Sequence, residues 1–136
     1  MASQLNPYLN FNGTTRQAME FYQRVFGGTL NLNTFSEFGA KDSPDADRIM
    51  HGALETDAGY TIMAADVTSD MEYHPMAGFG VSVSGDDEAL RGYFQKLSDG
   101  GTVTMPLQKQ AWGDEFGMCT DRFGVSWLVN VSQPEA

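Results

Sequence analysis

Of the side chains that move protons near neutral pH, the chain has two histidines, His51 and His74, and a single cysteine, Cys119. An unperturbed histidine titrates near ~6.5, so His51, inside the strand-like run 48–56, is the candidate catalytic acid or base. Its other reading is a partly buried strand histidine hydrogen-bonded to a neighbour. Glu55 and Asp57 are near enough in sequence to orient or pair with it, although carboxylates at strand ends are more often solvated. His74, beside Pro75, reads as a surface residue. Asp66 and Asp121 stand at strand ends next to turns, where capping is the simpler role. A lone thiol in an apolar alternating run supplies no internal disulfide, which fits a reducing cytoplasm.

The elements that must position these groups come in a repeating order. Leu5 to Phe11 is a short apolar run whose Pro7 marks an edge or a strand start. A helix follows, with Thr14 as cap and Gln17 as its capping-box partner; Ala18, Phe21, Tyr22, Val25 and Phe26 share one face. Gly27-Gly28 ends it. Strands are expected over 29–35, 48–56 and 60–65, the last two joined by the turn at Asp57-Ala58-Gly59. Gly39 to Asp47, with Pro44, reads as a loop. After a connector, Phe79, Val81 and Val83 alternate as a strand, and Asp86 or Asp87 opens a helix with Leu90, Tyr93, Phe94 and Leu97 as its stripe. Gly100-Gly101 ends that helix. A short strand over 102–105, a loop over 106–114 and a final hairpin of 116–120 with 125–131 complete the plan. Phe21 with Gly27-Gly28-Thr29 returns as Phe94 with Gly100-Gly101-Thr102 at one offset, 94 − 21 = 100 − 27 = 73. Such spacing points to a tandem duplication.

The segments PYLNFNG, AMEFYQRVFGG, HGALETDAGYTIMAAD and WGDEFGMCTDRFGVSWLVNV resemble the vicinal oxygen chelate superfamily of glyoxalases, bleomycin- and fosfomycin-resistance proteins and extradiol dioxygenases. Their wording is closest to its PhnB-like branch. The resemblance spans nearly the whole chain. It implies an α+β fold of two tandem βαβββ modules forming a pseudo-symmetric half-barrel, the glyoxalase-like fold, in a homodimer. Module one then covers about 4–66, the connector 67–77 and module two 78–132, as a single domain. Some relatives of this branch carry a methyltransferase label, but no glycine-rich strand-to-helix loop followed by an acidic residue suits a nucleotide-like cofactor here.

Enzymes of the superfamily hold a divalent metal through His, Glu or Gln at four strand positions. Carried over through the Phe-Tyr helix and the glycine turns, these fall on Pro7, Met63, Phe79 and Leu128, and the neighbours Tyr8, Ile62, Ala64, Gly78, Gly80, Trp127 and Val129 are no better suited to a metal. The expectation is therefore no metal and no cofactor. The resemblance implies a concave face where Tyr8, Phe11, Phe79, Trp112, Phe116 and Trp127 would suit an apolar or planar ligand, with core packing as the competing role for most. Trp112 stands apart, because Ala111 and Gly113 offer it little local core. Asn130 either bonds a ligand or pairs across the sheet. Met63, Met105 and Met118 would make a cavity adaptable in shape, or simply fill gaps. Tyr8, Met63, Phe79, Trp112 and Asn130 are the candidate ligand-binding residues.

Composition narrows the classes. Lys and Arg number 8 against 18 Asp and Glu, a formal charge of −10, which repels phosphate backbones and anionic membranes. No apolar run reaches the ~20 residues of a membrane span, and no basic-then-apolar leader opens the chain. The expectation is a soluble, cytoplasmic protein that binds neither nucleic acid nor membrane. Two functions remain: a binding protein for a small apolar or aromatic molecule, or a lyase- or isomerase-like enzyme using His51 or a displaced metal site.

Overall fold

The structure is a computed structural model and describes residues 3–133, which divide into two compact units between Pro75 and Met76. In the first unit, β1 (Tyr8–Phe11) leads into α1 (Thr15–Phe26), followed by β2 (Thr29–Thr34), a single 3₁₀ turn, β3 (Ile49–Glu55) and β4 (Thr61–Asp66). The sheet order is β1-β4-β3-β2. β1 runs parallel to β4, with Tyr8 opposite Met63, and the remaining pairs are antiparallel. In the second unit β5 (Val81–Gly85), α2 (Ala89–Ser98), β6 (Thr102–Lys109), β7 (Glu115–Thr120) and β8 (Ser126–Val131) repeat the plan, in the order β5-β8-β7-β6. The chain is thus α+β, with two βαβββ modules.

Each helix buries one stripe on one face of its sheet. In α1 the buried positions are Thr15, Ala18, Met19, Phe21, Tyr22, Val25 and Phe26, spaced as a helical face requires. They pack against β2, β3 and β4, where Leu54, Ile62 and Ala64 alternate inward. The α2 stripe is Leu90, Phe94 and Leu97, over Trp127, Val129 and Cys119. Strand alternation then leaves the other face of each sheet without a helix.

The repeated Gly-Gly pair has a steric cause. A Cβ on Gly28 would lie 2.3 Å from the Glu55 carbonyl oxygen, and one on Gly101 would lie 2.1 Å from that of Thr120. In both units the chain leaving the helix passes so close to the neighbouring hairpin that only glycine fits.

Two local expectations change. The Thr14 side chain makes no capping bond. Instead Asp66, at the end of β4, accepts from Gly13 N, Thr15 N and Thr15 Oγ1 with Oδ1, and from Ile49 N with Oδ2. A buried carboxylate brought by the sheet outcompetes a local hydroxyl, because a charged acceptor at a helix N-terminus also meets the helix dipole. The strand expected over 102–105 runs on to Lys109. Pro106 is accommodated within it, because β6 is an edge strand with register shifts on both sides of Met105.

Candidate functional site

On the helix-free face of the first sheet, residues of one alternation class stand side by side: Tyr8 and Asn10 on β1, Met63 on β4, His51 and Ala53 on β3, Asn31 and Asn33 on β2. Tyr8 pairs with Met63, Met63 with Ala53, and His51 lies two residues along β3, opposite Asn33. The long phenol reaches across β4, so that Tyr8 Oη and His51 Nδ1 are 3.1 Å apart and the ring centroids 5.7 Å. Partial burial pushes the Tyr8 phenol above its ordinary value, so it remains protonated at neutral pH. A neutral imidazole can accept from it and a protonated one can donate to it, so the contact survives either ring state. Among the described residues, no protein group bonds Nε2 of His51, which leaves that nitrogen for a ligand.

His51 therefore takes Tyr8 as its partner, and not Glu55 or Asp57. Glu55 shares the face but lies four residues away along β3, about 13 Å at ~3.3 Å per residue. Asp57 belongs to the turn beyond the strand. Asn10, Asn31 and Asn33, outside the expected ligand-binding set, share the same face. The alternation of Leu30 and Leu32 with Asn31 and Asn33 is the signal that places both carboxamides on one face.

In the second unit the corresponding face presents Ser82 and Ser84 on β5, Leu128 and Asn130 on β8, and Phe116 and Met118 on β7. Asn130 pairs in register with Phe116 and donates from Nδ2 to Asp114 Oδ2 at 3.0 Å. Trp112, in the β6–β7 loop, meets Phe116 at 6.0 Å between centroids and 63° between planes, and is 62% exposed. Phe79 precedes β5 and is exposed. His74 is a surface residue within 3.7 Å of Glu72. Asp121 accepts from Phe123 N, Val125 N and Trp127 Nε1, joining its turn to the core.

The observed register refines the inherited metal positions. Tyr8, not Pro7, stands opposite Met63, and Ser82, not Phe79, stands opposite Leu128. A phenol, a thioether, an alkyl group and a hydroxyl do not fit Zn, Ni, Mn or Fe. Among the described residues, no three His, Cys, Asp or Glu side chains converge as ligands, and no helix is long and apolar enough to cross a membrane.

Residues 3–130 match the family described as 3-demethylubiquinone-9 3-methyltransferase. The crystal structure of protein PA1353 from Pseudomonas aeruginosa superposes with a TM-score of 0.87 at 36% identity, covering 98% of this chain and 100% of that one. A PhnB protein from Bacillus cereus, described in the same methyltransferase terms, gives a TM-score of 0.71 at 23% identity, covering 96% and 100%. A member of the glyoxalase/bleomycin resistance protein/dioxygenase superfamily from Sphaerobacter thermophilus gives 0.62 at 16%, covering 97% and 98%. The last two show likeness of fold.

Proposed function

The chain belongs to the PhnB-like family of the glyoxalase and bleomycin-resistance superfamily, and from that premise we propose a metal-free homodimer that binds a small apolar or aromatic molecule. The observation carrying this reading is the helix-free face of the first sheet. Tyr8 and His51 are hydrogen-bonded there over Met63, among carboxamides, and the one carboxylate on the face is too distant along β3 to pair with the histidine. Such a surface orients a ligand through Nε2 of His51 and the phenol, while Met63 adapts to its shape. Phe79, Trp112 and Asn130 would extend the apolar and hydrogen-bonding surface. The homodimer is supported by the outer edges of β2 and β6, which no strand covers, with Val103 and Met105 exposed on β6.

The methyl transfer in the family's description is not part of this reading. The connections from β1 to α1 and from β5 to α2 are three residues long, and neither holds a glycine-rich run. The α1 N-terminus, where a phosphate-like group would sit, is already filled by Asp66.

A metabolite panel read by histidine NMR tests the proposal. A ligand should move the His51 ring signals, and Tyr8→Phe and His51→Ala should each weaken it at least ~10-fold with no turnover. Binding unaffected by both changes would refute the assignment. A lyase- or isomerase-like enzyme is the second reading, favoured by the hydrogen-bonded hydroxyl that Tyr8 presents to His51. Turnover lost in His51→Ala with binding retained would establish it. Light scattering should report a dimer; a monomer would remove that part of the proposal.

A further inference from the structure

The β6–β7 loop holds a large aromatic in water without leaving it slack. Gln110 N donates to Asp114 O at 2.8 Å, Gly113 N to Gln110 O at 3.0 Å, and Gln110 Nε2 to Gln108 O at 2.9 Å, so the turn carrying Trp112 is closed on itself. Asp114, two residues on, is braced by Asn130 Nδ2 and by Gln133 N. Those donors are neutral. No lysine, arginine or histidine forms an ion pair with Asp114 among the described residues. The nearby cations are directed elsewhere: Arg91 pairs with Glu115 and Glu88, and Lys109 belongs to the alternation class opposite that of Gln108 and Phe116.

We infer that the Trp112–Phe116 corner, with the uncompensated carboxylate of Asp114 beside it, binds an organic ammonium that carries an aromatic ring. The inference rests on the small-molecule reading above and names the ligand class at this end of the second sheet. A cation is attracted to a ring within about 6 Å of its centroid, tryptophan most strongly. Two centroids 6.0 Å apart with planes at 63° let one cation lie within that range of both. The formal charge of −10 concentrates cations around the whole protein. A neutral molecule of the same outline stacks on the ring but forgoes both charge effects.

The test follows the two indole N–H signals of the full chain during titration with benzyltrimethylammonium, benzyl alcohol and benzenesulfonate. Trp127, bonded to Asp121, is the internal control. The Trp112 signal should move with the ammonium at least ~10-fold more tightly than with the alcohol, not with the sulfonate, and more weakly at high salt. Read by saturation transfer to the benzyl protons of the ammonium, binding should be lost in Trp112→Leu, and Asp114→Asn should weaken it roughly 3- to 10-fold with a flatter salt dependence. Equal affinity for ammonium and alcohol, or binding that survives Trp112→Leu, would overturn the inference. So would a Trp112 signal that changes with protein concentration, since a second copy would then cover the ring. In each of these cases a ligand detected at Tyr8 and His51 still stands, so the two readings fail separately.

Discussion

Removing the Asp66 carboxylate should cost the first unit a large share of its stability. Its side chain accepts four hydrogen bonds, from Gly13 N at 2.9 Å, Thr15 N at 3.1 Å, Thr15 Oγ1 at 2.7 Å and Ile49 N at 2.9 Å, and the residue is 6% exposed. In Asp66→Ala the Thr15 and Ile49 donors lose a buried acceptor, at about 1 kcal/mol or more each. Gly13 loses less, because a cleft of about 350 Å³ lined by Gly13, Arg16, Arg48 and Asp66 admits water. The sum is about 3–4 kcal/mol, set against a typical total of ~5–15 kcal/mol. Asp66→Asn keeps an oxygen for the Gly13 and Thr15 donors but turns an amide toward Ile49 N, so about half the loss is expected. Urea unfolding followed by far-UV circular dichroism and by the fluorescence of Tyr22 and Tyr60 in the first unit measures both, with exposed Glu55→Gln as a control within ~0.5 kcal/mol. A loss below about 1 kcal/mol for Asp66→Ala, or a larger one for Asp66→Asn, would refute the reasoning.

Gly28→Ala and Gly101→Ala should each lower stability by at least ~2 kcal/mol, because the new Cβ meets carbonyl oxygens at 2.3 Å and 2.1 Å. Gly27→Ala, with open space but a φ of +75°, should cost only about 1 kcal/mol by thermal denaturation. A larger effect at Gly27 than at Gly28 would contradict the packing argument. Burial, and then the Asp121 charge, push the Cys119 thiol from 9.0 up to about 11. The fold thus favours the protonated thiol, and that contribution is present below the unfolded value and lost as pH rises through the folded one. Wild-type unfolding midpoints should fall against those of Cys119→Ala between pH 9.0 and about 11, and parallel curves would count against it. Metal analysis of protein purified without chelator should find no stoichiometric Ni, Zn, Mn or Fe, and one tightly held ion per subunit would end the metal-free proposal.

Local signals made most of the architecture legible. The α1 stripe, the Gly-Gly stops and the alternation of Phe116 to Thr120 each follow from one segment's own period, and the observed elements sit within a few residues of those expectations. What escaped was set by pairing at a distance. The Asp66 cap depends on β4 ending beside the start of α1, and the length of β6 depends on β7 holding it past Pro106. The Tyr8–His51 bond needs β1 to lie parallel to β4 in one register, and a shift of one residue would send Tyr8 to the helix face. Phe116 stands out in the sequence as an aromatic, but its place opposite Asn130, which bonds Asp114, depends on the β7–β8 register.

The parallel seam between β1 and β4 also bears on how the first unit assembles. Its partners Tyr8 and Met63 are 63 − 8 = 55 residues apart, whereas β3 and β4 meet across a tight turn. Closing so long a loop carries an entropy cost that the hairpin does not share, so the opening strand is expected to dock after the meander, and amide-exchange labelling during refolding should protect β4 before β1. Tyr8 arrives with that latecomer and His51 waits on the scaffold already built. Any molecule gripping both then acts as a clasp between the opening strand and the hairpin of its sheet.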